Sequence, residues 1–149
     1  MLALLVYLES RGSVFHRAQR VCWASNLFSC VKFRTMVLDA ETLLQRMLEE
    51  DTGLREEYSK YHKLRVDPRV TRVGRFLRST SLDELPQLWN VLRGEMSLVG
   101  PRPYLPRESK EIGSSQNEIL RLPPGITGPR QVAGRNETSF AQRIQMEAY

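Results

Sequence analysis

The chain opens on an unbroken apolar run, Met1–Leu8 (MLALLVYL), and Met1–Glu9 reads as the end of a helix. Ser10–Ser13, with Gly12, reads as a turn. Val14–Phe15 and Leu27–Phe33 read as short strand-like pieces around a loop. Leu43, Leu44, Met47 and Leu48 recur at helical spacing, which predicts an amphipathic helix over Asp39–Asp51. Asp39 and Glu41 suit its positive end, and Gly53 marks its stop. Leu54–Leu64 (LREEYSKYHKL) is strongly charged and predicts a second, more exposed helical piece. It breaks at Asp67-Pro68, because a residue before proline avoids the helical region.

Thr71–Arg78 (TRVGRFLR) predicts a short amphipathic helix, with Val73, Phe76 and Leu77 on one face and Arg72, Arg75 and Arg78 outside it. Such a basic, apolar-sided piece suits a headgroup layer or, equally, a solvated helix face. Ser81–Arg93 predicts the central helix. Ser81 and Glu84 match the S-x-x-E capping box. Leu85, Leu88, Trp89 and Leu92 form its apolar stripe, with Asp83, Gln87 and Asn90 on the other side. Pro86 is tolerated only near a helix start. Gly94 ends the helix, and Met96–Val99 is extended into Gly100-Pro101-Arg102-Pro103. Glu108–Leu122 is polar and helical from Ser115. Pro123-Pro124-Gly125, Gly128-Pro129 and Gly134-Arg135-Asn136 are turns, and Ser139–Tyr149 reads as a helix. Together these elements predict one α+β domain over 1–149, mainly helical with short strands.

Composition narrows the class. With 149 residues, 41% hydrophobic and 26% charged, the chain is globular and large enough to bury a core without disulfides. Net charge is +5, carried mostly by Arg, since the lysines are only Lys32, Lys60, Lys63 and Lys110. Arg binds phosphate in bidentate fashion where Lys acts as a point charge. Nucleic acid, anionic lipid headgroups and phosphorylated substrates all fit that balance. Cys22 and Cys30 lack the CxxC spacing, and His16 and His62 are far apart, so no zinc site or disulfide framework is expected.

Candidate chemistry centres on Asp83-Glu84. Acids favour a helix start for the dipole alone, and that accounts for most such pairs. Here Arg69, Arg72, Arg75 and Arg78 lie upstream and Arg102 downstream. An ionised Asp is a possible nucleophile toward phosphorus, and a neighbouring carboxylate can hold Mg²⁺ together with substrate phosphates. Arginines would neutralise the phosphate oxygens so that the two anions can meet. Adjacent helical residues point roughly 100° apart, so the two acids would do different jobs. Arg102 has its backbone restricted by flanking prolines. Lys32 and Arg34 flank Phe33 in a strand-like KFR and would share a face.

Several segments closely resemble the bacterial sugar transferase family, the monotopic polyprenyl-phosphate phosphoglycosyl transferases. They are VKFRTM at Val31–Met36, DPRVTRVGRFLRSTSLDELPQLWNVLRGEMSLVGPRP at Asp67–Pro103, PPGITG from Pro123 and GRNE from Gly134. The resemblance extends over nearly the whole chain. It implies transfer of a sugar-1-phosphate from a UDP-sugar to undecaprenyl phosphate, releasing UMP and initiating exopolysaccharide, O-antigen or other glycoconjugate synthesis. In the family the Asp of the pair is the nucleophile that forms a covalent intermediate, here Asp83, and the adjoining Glu, here Glu84, is linked to Mg²⁺. Arg78, Arg102, Arg135, Lys32 and Arg34 match positions where phosphate or nucleotide contact is expected. The resemblance also implies a membrane-associated core on the cytoplasmic face of the bacterial inner membrane. UDP-sugar, undecaprenyl phosphate and the membrane surface are then partners, with a homodimer as a further option and no nucleic acid.

The chain departs from the family pattern in places. The family opens with a longer re-entrant membrane helix, so Met1–Glu9 is expected to be its remnant and the domain incomplete at both ends. Glu9-Ser10-Arg11-Gly12-Ser13-Val14-Phe15 lacks the family's two prolines. Cys22-Trp23-Ala24-Ser25 stands where a Gly-rich turn is usual, and Pro129-Arg130 where an apolar-aromatic pair is usual. Low turnover is therefore one expectation. An inactive remnant or interaction subunit stays open, as does a basic nucleic-acid-binding module, which would need a wholly basic helix face or regular aromatic platforms that this chain lacks.

Overall fold

A computed structural model describes residues 1–21, 23, 26–128 and 140–148 of the chain. The elements are α1 (Leu2–Glu9), β1 (Phe15–Val21), β2 (Leu27–Phe33), α2 (Ala40–Glu50), α3 (Thr52–Tyr61), α4 (Arg72–Thr80), a 3-10 turn (Leu82–Glu84) and α5 (Gln87–Leu92). There follow β3 (Ser97–Val99), α6 (Pro106–Ile112), a second 3-10 turn (Gly113–Ser115), α7 (Gln116–Ile119), β4 (Gly125–Thr127) and α8 (Phe140–Glu147). The expected α+β mixture is present. Among the described residues no helix is long and apolar enough to cross a membrane. Two compact units divide the chain: Met1–His16 with Phe33–Leu85, and Arg17–Lys32 with Pro86–Tyr149.

In the first unit, α2 follows its periodicity, with Leu44 buried and Leu43, Met47 and Leu48 half-buried. Gly53 does not end it. The chain turns at Asp51, whose carboxylate accepts the Leu54 N–H at 3.1 Å and starts α3, leaving Gly53 inside the new helix. A local cap outweighs the glycine signal here. Helix α4 is capped by the Thr71 hydroxyl, which accepts the Gly74 N–H at 2.9 Å. It buries Gly74 and Leu77, whereas Phe76, expected on the same face, is 53% exposed. The reason is a close seat on Thr35. The Thr71 N–H donates to the Thr35 carbonyl at 3.0 Å, and a Cβ on Gly74 would come within 2.8 Å of the Thr35 carbonyl carbon. Only glycine fits there, so α4 rotates its Gly74 side inward.

Helix α1 contributes a second cap to α4. The Glu9 carboxylate accepts the N–H groups of Arg72 and Val73, both at 2.8 Å. Burial alone would raise the Glu9 pKa, but the bond from Thr71, the two backbone N–H groups and the Arg72 charge together hold it below the ordinary glutamate value of 4.5. A lowered carboxylate pKa stabilises the folded state above the unfolded pKa, and that gain is lost as the pH falls from 4.5 through the folded value. Glu9→Gln is therefore expected to lower stability at pH 7 by roughly 0.5 kcal/mol, a modest effect because the site is exposed. Denaturant curves of the two proteins should converge in acid below that window.

β1 and β2 form a two-stranded sheet, and in the second unit β3 pairs parallel with β4 in the register Ser97↔Gly125 and Val99↔Thr127. Phe28, Cys30 and Met96 make one core cluster with Val91 and Ile126 against it. Tyr104, Ile112, Ile119 and Phe140 make another. Helix α5 reverses the expected polarity. Gln87 and Asn90 are each 1% exposed, whereas Leu88, Trp89 and Leu92 are 45%, 60% and 80% exposed. Burying a polar side chain is costly unless it is bonded. Asn90 meets that condition: its Oδ1 accepts the Val31 N–H at 3.1 Å, and its Nδ2 donates to the Ser29 carbonyl at 2.8 Å and Glu95 Oε2 at 2.7 Å. It thus serves the backbone of β2 as a further strand would. Asn90→Ala is expected to cost about 2 kcal/mol by stranding those groups, read as a lower denaturation midpoint.

Candidate active site

The acidic pair sits where α4 stops. Arg78 occupies the last turn of α4, and Ser81 follows in the left-handed region at φ 59. A non-glycine residue there interrupts a right-handed helix. Leu82–Glu84 then closes a 3-10 turn, with Glu84 N–H donating to the Ser81 carbonyl at 3.2 Å and Leu85 N–H to the Leu82 carbonyl at 3.3 Å. Helix α5 begins only after Pro86. The expected single helix over Ser81–Arg93 is therefore two pieces. Ser81 makes no side-chain cap bond, so the S-x-x-E pattern does not form its capping box. The twist that puts Ser81 in the left-handed region also ends α4, and Pro86, lacking an N–H, separates the turn from α5.

Asp83 and Glu84 are both half-buried on this turn. Side chains adjacent on a 3-10 helix diverge by roughly 120°, so the two carboxylates still face different ways. Arg78 is the nearest named cation in the chain before them. Its Nε donates to the Thr35 hydroxyl at 2.9 Å, fixing one edge of the guanidinium. Desolvation lowers its pKa from the usual arginine value, Asp83 and then Asp67 pull it back up, and Arg69 pushes it down. It stays protonated at any working pH. Arg78 and Asp83 thus act on each other electrostatically within the first unit.

The other arginines of the upstream run differ from one another. Arg69 is buried and bidentate to Asp67, with Nε–Oδ1 at 2.8 Å and Nη2–Oδ2 at 2.6 Å. Burial alone would raise the Asp67 pKa, but the bonds from Arg69 and the charges of Arg69 and Arg78 hold it below the carboxylate range. This pair braces the loop into α4. Arg34 lies just past the end of β2 and is buried. Its Nη2 donates to the carbonyl and to the hydroxyl of Ser10, closing the turn after α1. Its Nε and Nη1 are buried with no hydrogen-bond partner among the described residues. Lys32 is half-buried within β2 and belongs to the second unit.

Arg102, in the second unit, is half-buried between the buried Pro101 and Pro103. Arg135, with the rest of the GRNE segment and Pro129-Arg130, lies outside the described residues. The first unit therefore gathers Arg78, Asp83 and Glu84, and the second carries Lys32 and Arg102. The sequence marks none of Thr35, Asp67 and Glu9 as a site residue, although Thr35 stands inside VKFRTM and Asp67 precedes the Pro68 break. Among the described residues no group of three or more His, Cys, Asp or Glu is gathered to hold a metal. The half-buried Glu84 carboxylate nonetheless fits Mg²⁺, which takes one or two carboxylates and completes its shell with substrate phosphates and water.

Comparison with known proteins covers the same ground. The family model described as Bacterial sugar transferase matches residues 1–149. A UDP-galactose-lipid carrier transferase of Erwinia amylovora is 43% identical over 150 residues, covering 99% of this chain and 31% of that protein. An undecaprenyl-phosphate galactose phosphotransferase of Salmonella typhimurium is 43% identical over 151 residues, 98% of this chain and 32% of its own length. The exopolysaccharide production protein ExoY of Sinorhizobium fredii is 43% identical over 145 residues, 97% of this chain and 64% of that protein. The chain thus spans about a third of the first two relatives.

Proposed function

Because the chain belongs to the bacterial sugar transferase family, we propose that it transfers a sugar-1-phosphate from a UDP-sugar to undecaprenyl phosphate. The observation that carries this reading is the Asp83-Glu84 turn beside Arg78. Asp83 Oδ attacks the phosphorus that bears the sugar, the bridging P–O bond of the diphosphate breaks, and UMP leaves. The undecaprenyl phosphate oxygen then attacks the same phosphorus, the aspartyl–phosphate bond breaks, and the Asp83 carboxylate returns. Both nucleophiles are anionic, so neither step needs a general base.

Arg78, held at Nε by Thr35, offers its remaining N–H groups to phosphate oxygens and lessens their repulsion of Asp83. Lys32, Arg102 and Arg135 are the further proposed phosphate contacts, whereas Arg34, expected among them, is buried and closes the turn at Ser10. Glu84 would hold Mg²⁺. The ion supplies charge neutralisation on the diphosphate when bound. The outward apolar side of α5 supports placement against a membrane surface, proposed to be the cytoplasmic face where UDP-sugars are made.

The test is UMP release by the chain in membranes, with undecaprenyl phosphate and a panel of UDP-sugars. Release from one sugar, dependent on added Mg²⁺ and lost in Glu84→Gln, supports the reading. No release from any sugar contradicts it.

A further inference from the structure

The Gly100-Pro101-Arg102-Pro103 segment is held by its own backbone to an unusual degree. The Pro101 carbonyl accepts the Gly125 N–H at 2.8 Å, and the Tyr104 carbonyl accepts the Val21 N–H at 2.8 Å. The Pro103 carbonyl accepts Arg20 Nη1 at 3.3 Å. Tyr104, 1% exposed, packs edge-on against Phe140, and its hydroxyl donates to the buried Glu147 carboxylate. Arg102, amid these anchors, keeps its side chain half-open.

One anchor is costly enough to ask what it is for. The Arg20 side chain is only 15% exposed, and its Nε is buried without a hydrogen-bond partner among the described residues. Its Nη1 lies 3.9 Å from Glu108 Oε2, and Glu108 is itself 2% exposed. The same Glu108 oxygen accepts the Leu105 N–H at 2.8 Å. Desolvation lowers the Arg20 pKa, Arg102 and Arg107 lower it further, and Glu108 opposes them. Arg102 and Arg107 thus bear on Arg20 electrostatically within the second unit. A buried ion pair of loose geometry is weak support for stability. An apolar pair would pack there at less cost.

We propose that Arg20, paired with Glu108, is a positioning residue: it fixes the Pro101–Pro103 loop so that Arg102 stands ready to take the phosphate oxygens of the nucleotide sugar. Arg20 ties the loop at Pro103, and Glu108 ties the next turn at Leu105. Arg20 acts through the loop: its side chain is only 15% exposed and its Nη1 is committed to the Pro103 carbonyl. This inference rests on the functional reading above.

The test is a mutant cycle on UDP-sugar turnover, with folding followed by circular dichroism. Arg20→Gln alone leaves the Glu108 charge buried, so Arg20→Gln/Glu108→Gln removes both charges together, and Arg20→Lys keeps one. The double variant is expected to stay folded and to raise KM for the UDP-sugar by about tenfold with kcat little changed. Arg102→Gln is expected to raise KM similarly. Adding the double change to Arg102→Gln should add almost nothing, because both act through one contact. Arg20→Lys should recover part of the loss. A folded double variant with wild-type KM overturns the proposal, as do losses that simply add to that of Arg102→Gln. Loss of fold in all Arg20 variants marks a purely structural pair and also overturns it. A wild-type chain that uses no UDP-sugar instead fails the functional reading, and the inference falls with it.

Discussion

Asp83→Asn is expected to reduce UMP release by at least about 10³-fold while leaving the fold intact. The side chain keeps its volume and its place on the turn, but an amide oxygen is a poor nucleophile toward phosphorus. Arg78 would lose one of the two carboxylates that favour its charge, yet it remains bonded to Thr35 and charged. Circular dichroism and melting should therefore match the wild type. Glu84→Gln should behave differently. It removes a metal-binding oxygen rather than the nucleophile, so added Mg²⁺ should recover part of its activity and none of that of Asp83→Asn. Equal behaviour of the two variants would argue that the pair acts as a unit, against the divided roles proposed here.

Gly74→Ala is the second large effect, this time on stability. Alanine normally favours a helix over glycine by about 1 kcal/mol. Here the new Cβ meets the Thr35 main chain, 2.8 Å from its carbonyl carbon and 2.9 Å from its Cα. Backbone atoms cannot swing aside as a side-chain end can. Overpacking typically costs about 1–3 kcal/mol and occasionally more, and against immovable main chain about 4 kcal/mol, so a net loss of about 3 kcal/mol is expected. The melting temperature should fall by roughly 6–12 °C. Activity should fall as well, because α4 can relieve the clash only by lifting off Thr35, which is also the hydroxyl that holds Arg78. A melting temperature equal to or above that of the wild type would show that α4 does not sit on Thr35 in this way.

Local signals in the sequence carried much of the architecture. The spacing of Leu43, Leu44, Met47 and Leu48 placed α2, and Asp67-Pro68 marked the break before α4. The acidic pair and Arg78 were recognisable because they lie within six residues of one another. What was not legible depends on residues distant in the chain. Thr35 meets Arg78 across 43 positions, and Glu9 caps α4 across 63 and 64. Asn90 reaches β2 across 59 and 61. No periodicity encodes such contacts.

The region after α4 misled for a related reason. S-x-x-E is a helix-start pattern, but the Ser81 backbone is already used to end the preceding helix, so the pattern has no helix to start. In α5 the apolar stripe faces outward, with Gln87 and Asn90 buried on the other side. Periodicity finds a two-faced helix, and the bonds made by Asn90 decide which face goes in. Arg34 and Arg69 show the same limit for charge. Counted in sequence they are cations available to phosphate, whereas in the fold one closes a turn on Ser10 and the other is locked to Asp67.

The central claim is that Asp83 carries the phosphosugar as a covalent ester. Intact-protein mass spectrometry after incubation with the UDP-sugar and Mg²⁺, without undecaprenyl phosphate, tests it most directly. The account predicts a mass increase of one sugar phosphate, located by peptide mapping to Asp83, absent from Asp83→Asn and discharged when undecaprenyl phosphate is added. Turnover of the UDP-sugar by a chain that never gains this mass, or an adduct that persists in Asp83→Asn, would contradict it.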